Sequence, residues 1–326
     1  MSILKRLFGA KAPATPKLSL ILVVYKMPRQ AINTLYTLSP AYQRDVAEED
    51  YEVIVMENSS SAPMGEAAAT QYAGNVTYFY RQETQPTPVP AALFGAEQAR
   101  GNIIGMMIDG ARMASPGLVH NILGASHSSA NAVVAVPGYH LGLTLQQEAV
   151  NHGYDEAEEM RLLESIAWQE DGYRLFDIAC VSGSCKGGFF RPNAESNCLC
   201  MPRHIWEAVG GIDPRFTETG GGQANPDLYK RVCEHPLTDL VITPGEGTFH
   251  QFHGGVTTGT KGDVRERHMQ NHFEQYKSLR GRYYKPPTTQ ARLYGKVSAN
   301  AMPFMRRSVE FAHNHPVSDI PEGDQK

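Results

Sequence analysis

Phe249-His250-Gln251-Phe252-His253 sets two imidazoles three residues apart, directly ahead of Gly254-Gly255. Imidazole nitrogen suits Mn²⁺ better than Mg²⁺, but two histidines alone make a poor metal site and need an acid from elsewhere in the chain. Asp109-Gly110-Ala111-Arg112 offers one carboxylate and one guanidinium, with an alanine that has no ligand atom. A hard cation wants several oxygens, so Asp109 by itself is a weak site. Glu218 and Asp227 flank the Gly220-Gly221-Gly222 loop. Either carboxylate can take a proton from a hydroxyl if partial desolvation lifts its pKa toward neutrality. Asp227 reads equally well as a first-turn acid favoured by its helix dipole. Asn225, between them, cannot accept a proton.

These residues need elements to position them. Leu18–Tyr25 is a nearly all-apolar run of β-formers, as in a strand buried on both faces. Pro28 opens a helix pattern carried by Ile32, Leu35, Tyr36 and Leu38. Further strands are expected at Tyr51–Met56, Val76–Tyr80, Asn102–Ile108 and Ala132–Val136, with helices over 64–73, about 91–99 and 155–168. Strands joined by helices predict a parallel, twisted α/β sheet whose ligands bind beyond the strand carboxyl ends. Tyr25, Glu57, Arg81 and Asp109 lie at or just past such ends, although acids there also cap turns and helix starts. Later come a strand at Asn197–Met201, helices at Pro202–Val209, Pro226–Cys233 and Val264–Arg280, and a tail after Pro286 without persistent periodicity. Cys198 and Cys200 alternate on their strand, so they share a face and read as small core residues.

The 326 residues allow two domains or one larger α/β domain. The division expected is a leader at 1–16, one half at 17–130, a second half at 131–285 and a tail at 286–326. A net charge of −4 disfavours a nucleic-acid binder, which needs a basic surface. No apolar run approaches the roughly 20 residues of a membrane span. Met1–Gly9 carries two cations among apolar residues and reads as a frayed basic leader, with a weak peripheral membrane contact as the alternative. Five cysteines, odd in number and without C-x-x-C, exclude a disulfide framework or zinc knuckle and fit a reducing, cytoplasmic compartment. Gly183-Ser184-Cys185-Lys186-Gly187-Gly188 falls short of a phosphate loop, and Ser182 and Ser184 have no triad partners.

Val23-Val24-Tyr25, Tyr51–Ser59 and Gly101–Asp109 together resemble the nucleotide-binding half of glycosyltransferase family 2, with its GT-A fold. Asn197–Phe216, with its Gly210-Gly211 turn, resembles the acceptor side of that family, and Asp227-Leu-Tyr-Lys-Arg231 matches the helix after its acidic loop. The match covers about residues 17–280. It implies transfer of a sugar from a nucleoside-diphosphate donor to a hydroxyl of a saccharide, lipid-linked or protein acceptor, with inversion. Tyr25, Glu57, Arg81, Asp109 and Arg112 would hold the nucleotide, and Asn197 and Trp206 would lie on the acceptor side, Trp206 reading equally as core. The sequence departs from the family at Ala111, where the second acid of D-x-D is expected, and at Asn225, where the base is expected. Two replacements for the first loss are open: Mn²⁺ or Mg²⁺ held by Asp109 with His253 or His250, or Arg112 standing in for the metal. Asp227 or Glu218 would supply the base. The same two losses also fit a binding module without catalysis. A sugar-1-phosphate nucleotidyltransferase fits less well, since Tyr25-Lys-Met-Pro-Arg29 has no glycine.

Overall fold

The computed structural model describes residues 15–255 and 262–315; the expected basic leader, its membrane contact and the end of the tail lie outside them. The strands are β1 (Leu18–Val24), β2 (Tyr51–Asn58), β3 (Val76–Arg81), β4 (Ile103–Met107), β5 (Arg112–Ala114), β6 (Ala132–Ala135), β7 (Gly138–Leu141), β8 (Ala179–Val181), β9 (Leu199–Pro202), β10 (Asp239–Ile242), β11 (Thr248–His250) and β12 (Arg292–Leu293). Eight form one sheet in the order β12-β10-β6-β9-β4-β1-β2-β3. Only β9 runs against its neighbours, β4 and β6; the other pairings are parallel. The mixed α/β class with a mostly parallel sheet is therefore as expected. Strands from both sides of residue 130 share this sheet.

The apolar runs make the sheet two-sided. Ile21, Val23, Ile54, Met56, Ile104 and Met106 pack to one face with Ala91, Ala92 and Ala96 of helix Val89–Gln98. Leu20, Leu22, Val24, Val53, Val55 and Met107 pack to the other with Ala31 and Leu35 of helix Pro28–Thr37, and with Leu118, Val119 and Ile122 of helix Leu118–His127. The period-two alternation of side chains sends consecutive residues to opposite layers. Cys198 and Cys200 fall together in the second layer.

Several elements depart from the sequence reading, among them β10, where no strand was expected. The helix expected over 64–73 shrinks to Glu66–Ala69, entered through Gly65 at φ 82°. Helix Leu118–His127 was not legible as such. The tail supplies β12 and a helix, Met302–Asn314, whose Phe304 is buried in the core. The largest departure is a second sheet, β5-β11-β7-β8, standing beyond the carboxyl edge of the first. Its register pairs His250 with both Arg112 and His140, while the adjacent row of Met113, Phe249 and Tyr139 is fully buried in the core. Cross-strand neighbours share a face, so Arg112, His250 and His140 stand side by side. Among the described residues, no helix is long and apolar enough to cross a membrane.

Candidate active site

A cleft of about 740 Å³ opens where the carboxyl ends of β1, β2 and β4 face the small sheet, lined by Tyr25, Asn58, Asp109, Arg112, His140, Asn197, His250 and His253 among others. Gly110 makes the approach possible: a Cβ there would lie 2.8 Å from the Val23 carbonyl oxygen, so only glycine lets the chain turn from Asp109 into β5 against the end of β1. The Asp109 carboxylate accepts the Ala111 N–H at 3.1 Å, and Ala111 itself is fully buried in the apolar layer.

Asp109, His250 and His253 converge. His250 Nε2 lies 3.1 Å and His253 Nε2 3.7 Å from the Asp109 oxygens, and the two Nε2 atoms are 3.2 Å apart. The surrounding bonds assign the His250 tautomer. Gln146, fully buried, donates its amide N–H to the His250 and Leu141 carbonyls, so its Oε1 accepts from His250 Nδ1 at 2.5 Å. Nε2 is then a lone pair aimed at a carboxylate and a second imidazole. Burial pushes His250 down to about 4 despite Asp109, which keeps it neutral near pH 7. Burial alone would raise the Asp109 carboxyl, but His253, His250 and Arg112 outweigh it and hold it well below the usual range. An electron-rich trio of this kind fits a cation. Neighbouring ligands held about 2.1 Å from a divalent ion in octahedral geometry lie about 3 Å apart, close to the His–His separation.

The loop after β11 is held at every step. Gln251 N–H donates to the Ala111 carbonyl at 2.8 Å, and Phe252 N–H to Glu159 at 2.5 Å, while Gln30 Nε2 donates to the Phe252 carbonyl at 2.6 Å. Glu159 is fully buried and also accepts from Arg29 at 2.9 Å; burial nonetheless pushes its carboxyl up to about 7. His140 accepts the Gln146 N–H on Nδ1, which leaves its proton on Nε2, and burial holds it far below the ordinary histidine value.

Arg112 is 7% exposed, and its Nε and Nη1 have no hydrogen-bond acceptor. Nε is 3.4 Å from Asp109, an ion-pair distance without hydrogen-bond alignment. Buried polar atoms without partners cost about 1–3 kcal/mol each, and they recur around this cleft: Asn58 Oδ1, Glu83 Oε2, Gln223 Oε1 and Asn225 Oδ1. A polar ligand would satisfy them.

Of the expected site residues, the cleft gathers Tyr25, Asp109, Arg112, His250, His253 and Asn197. The others stand elsewhere. Glu57 is fully buried beneath the end of β2, accepting from Met64 and Gly65 N–H and the Tyr78 hydroxyl, so the next residue, Asn58, faces the cleft instead. Arg81 lies over the Phe94 ring at 4.6 Å. Trp206 packs in the core beneath Gly211. Asp227 is 1% exposed and outside the cleft lining, both oxygens taken by Arg231 and Arg280 at 2.6–2.7 Å. Glu218 is half-buried and also outside the lining. Sequence reasoning missed Gln146, His140, Asn58, Glu83 and Glu195, which no motif marks.

No protein-family model and no curated protein matches the sequence. Among solved structures the chain is similar to S. aureus TarS 1-349 in complex with UDP-GlcNAc, at 8% identity and TM-score 0.48 over 91% of this chain and 73% of that one. It is also similar to the mannosyltransferase PcManGT from Pyrobaculum calidifontis in complex with GDP-Man and Mn²⁺, at 13% identity and TM-score 0.46 over 96% and 79%. Likenesses this distant leave the function to be read from the cleft.

Proposed function

We propose that the chain is a glycosyltransferase of the family 2 type, moving a sugar from a nucleoside diphosphate to an acceptor hydroxyl by a single, inverting displacement. The observation that carries this reading is the Asp109–His250–His253 cluster beside a buried Arg112 with unused donors, at the carboxyl edge of a parallel sheet. Tyr25, 48% exposed on the cleft wall, offers a ring to the base, and Asn58 and Glu83 offer acceptors for its N–H groups. Arg112 meets the diphosphate oxygens with a charge-assisted fork. Asp109, His250 and His253 would hold Mn²⁺ or Mg²⁺, with two imidazoles favouring Mn²⁺; when bound, such an ion offsets charge on the departing diphosphate. His140 keeps an N–H directed by its neutral tautomer. Asn197, Gln223 and Asn225 form the acceptor wall.

The test is release of nucleoside diphosphate from UDP-, GDP- and dTDP-sugars. Turnover with at least one donor is expected, falling by about 100-fold or more in Asp109→Ala and with EDTA. Tight nucleotide binding without turnover on any donor or acceptor would instead favour a binding module. EDTA-insensitive turnover would leave charge neutralisation to Arg112.

A further inference from the structure

We propose that Glu195 is the general base that takes the proton from the attacking hydroxyl, held in place by Asn225; this rests on the glycosyl-transfer reading above. Among the described residues the carboxylates lining the cleft are Asp109, Glu83 and Glu195. Asp109 is committed to two histidines and Arg112, and Glu83 stands past the end of β3 beside Arg81, 3.9 Å away. Glu195 is on the other wall, where the chain enters β9.

Its frame is built from both sides. Ala194 N–H donates to the Ser184 carbonyl at 2.8 Å, and the Tyr284 hydroxyl donates to the Ala194 carbonyl. Ser184 is 2.9 Å from Ser182, Oγ to Oγ, and Gly138 separates Ser182 from Arg112: a Cβ on Gly138 would lie 3.1 Å from Ser182 Oγ and 3.9 Å from Arg112 Nη1. The backbone ahead of Glu195 is thus held by the Ser182–Ser184 turn, which lines the same cleft as Arg112. Asn225 Nδ2 donates to Glu195 Oε2 at 3.1 Å and is itself held by the Ser196 carbonyl at 3.2 Å and Asn197 Oδ1 at 3.4 Å. The hydrogen bond that the described residues give Glu195 goes to Oε2, which leaves Oε1 for the acceptor hydroxyl, and Asn225 Oδ1 is buried without a partner. The amide that cannot act as a base thereby orients a carboxylate that can.

In the step itself, the acceptor oxygen forms its bond to the anomeric carbon as the bond from that carbon to the diphosphate oxygen breaks. The electron pair leaves with the diphosphate, and the hydroxyl proton passes to Glu195 Oε1. Asn225 stays bound to Oε2 as a positioning residue.

The probe reaction is hydrolysis of the sugar donors, water being the acceptor, followed as diphosphate release. Glu195→Gln should lower release about 100-fold or more while leaving the thermal shift given by UDP or GDP with Mn²⁺ unchanged. Adding Asn225→Asp to that variant puts a carboxylate beside the lost one, where the amide nitrogen stood 3.1 Å from Glu195 Oε2, and should recover at least tenfold. In Glu195→Ala, azide needs no deprotonation and should restore release as the glycosyl azide forms. Near-normal release by Glu195→Gln overturns the assignment, as does joint loss of release and nucleotide binding, or failure of both rescues. Absence of release by the unaltered protein with every donor overturns the transfer reading itself, and the base with it.

Discussion

Gln146 shows how much a single buried amide decides. Its two donated bonds leave its oxygen no partner except His250 Nδ1–H, and that fixes which imidazole nitrogen faces Asp109. Gln146→Leu, similar in volume, should therefore weaken Mn²⁺ binding by about 10–100-fold, the usual cost of losing an outer-shell partner; titration followed by electron paramagnetic resonance reads it directly. Asp227 makes the opposite point. With both oxygens on guanidinium groups and almost no exposure, it holds helix Ala224–Cys233 to helix Gly262–Arg280. Asp227→Asn should cost about 3 kcal/mol of stability in a denaturant titration, yet leave nucleotide affinity intact below the melting range. The sequence could mark Asp227 and Glu218 as acids near a glycine loop. It could not show that one is consumed by Arg231 and Arg280, nor that Asn225 reaches Glu195, thirty positions away.

Six of the eight strands of the large sheet were legible, β1, β2 and β4 as largely apolar runs buried on both faces, whereas β10 and β12, four and two residues long, were not. The small sheet was not either. Its strands are three or four residues long, and Arg112, His140 and His250 interrupt the apolar positions in three of them, so no period emerges. Strand ends mislead in another way: at β2 alternation turns Glu57 under the sheet and Asn58 outward, a choice that one residue of slippage reverses. Helix Glu156–Glu164 matters to the site through Glu159, which grips the loop between the two histidines. Its carboxyl is held up to about 7 in the folded chain against 4.5 for the free group. The folded state binds this proton more tightly, so its stabilising contribution is complete below pH 4.5 and is lost as the pH rises through 7. Glu159→Gln lacks that titration. The stability advantage of the unaltered protein over the variant should shrink by about 2–3 kcal/mol between pH 5 and pH 8, measured by chemical denaturation across that range.

At the scale of the molecule, the cleft exists because two sheets meet at one edge. The large sheet delivers Tyr25, Asn58 and Asp109 from its carboxyl ends, and the small sheet delivers Arg112, His140 and His250 as a row. The facing wall, which would receive the acceptor, comes from the later chain at Glu195, Asn197 and Asn225. Donor and acceptor would thus meet between surfaces that sequence separates by about a hundred residues. The most direct test is calorimetric titration of Mn²⁺ and UDP or GDP, together and singly, into the unaltered protein, Asp109→Ala and His253→Ala. Nucleotide binding strengthened by Mn²⁺ in the unaltered protein, with that gain abolished in both variants, is the predicted result; binding unaffected by Mn²⁺, or a gain that survives in both variants, would contradict it.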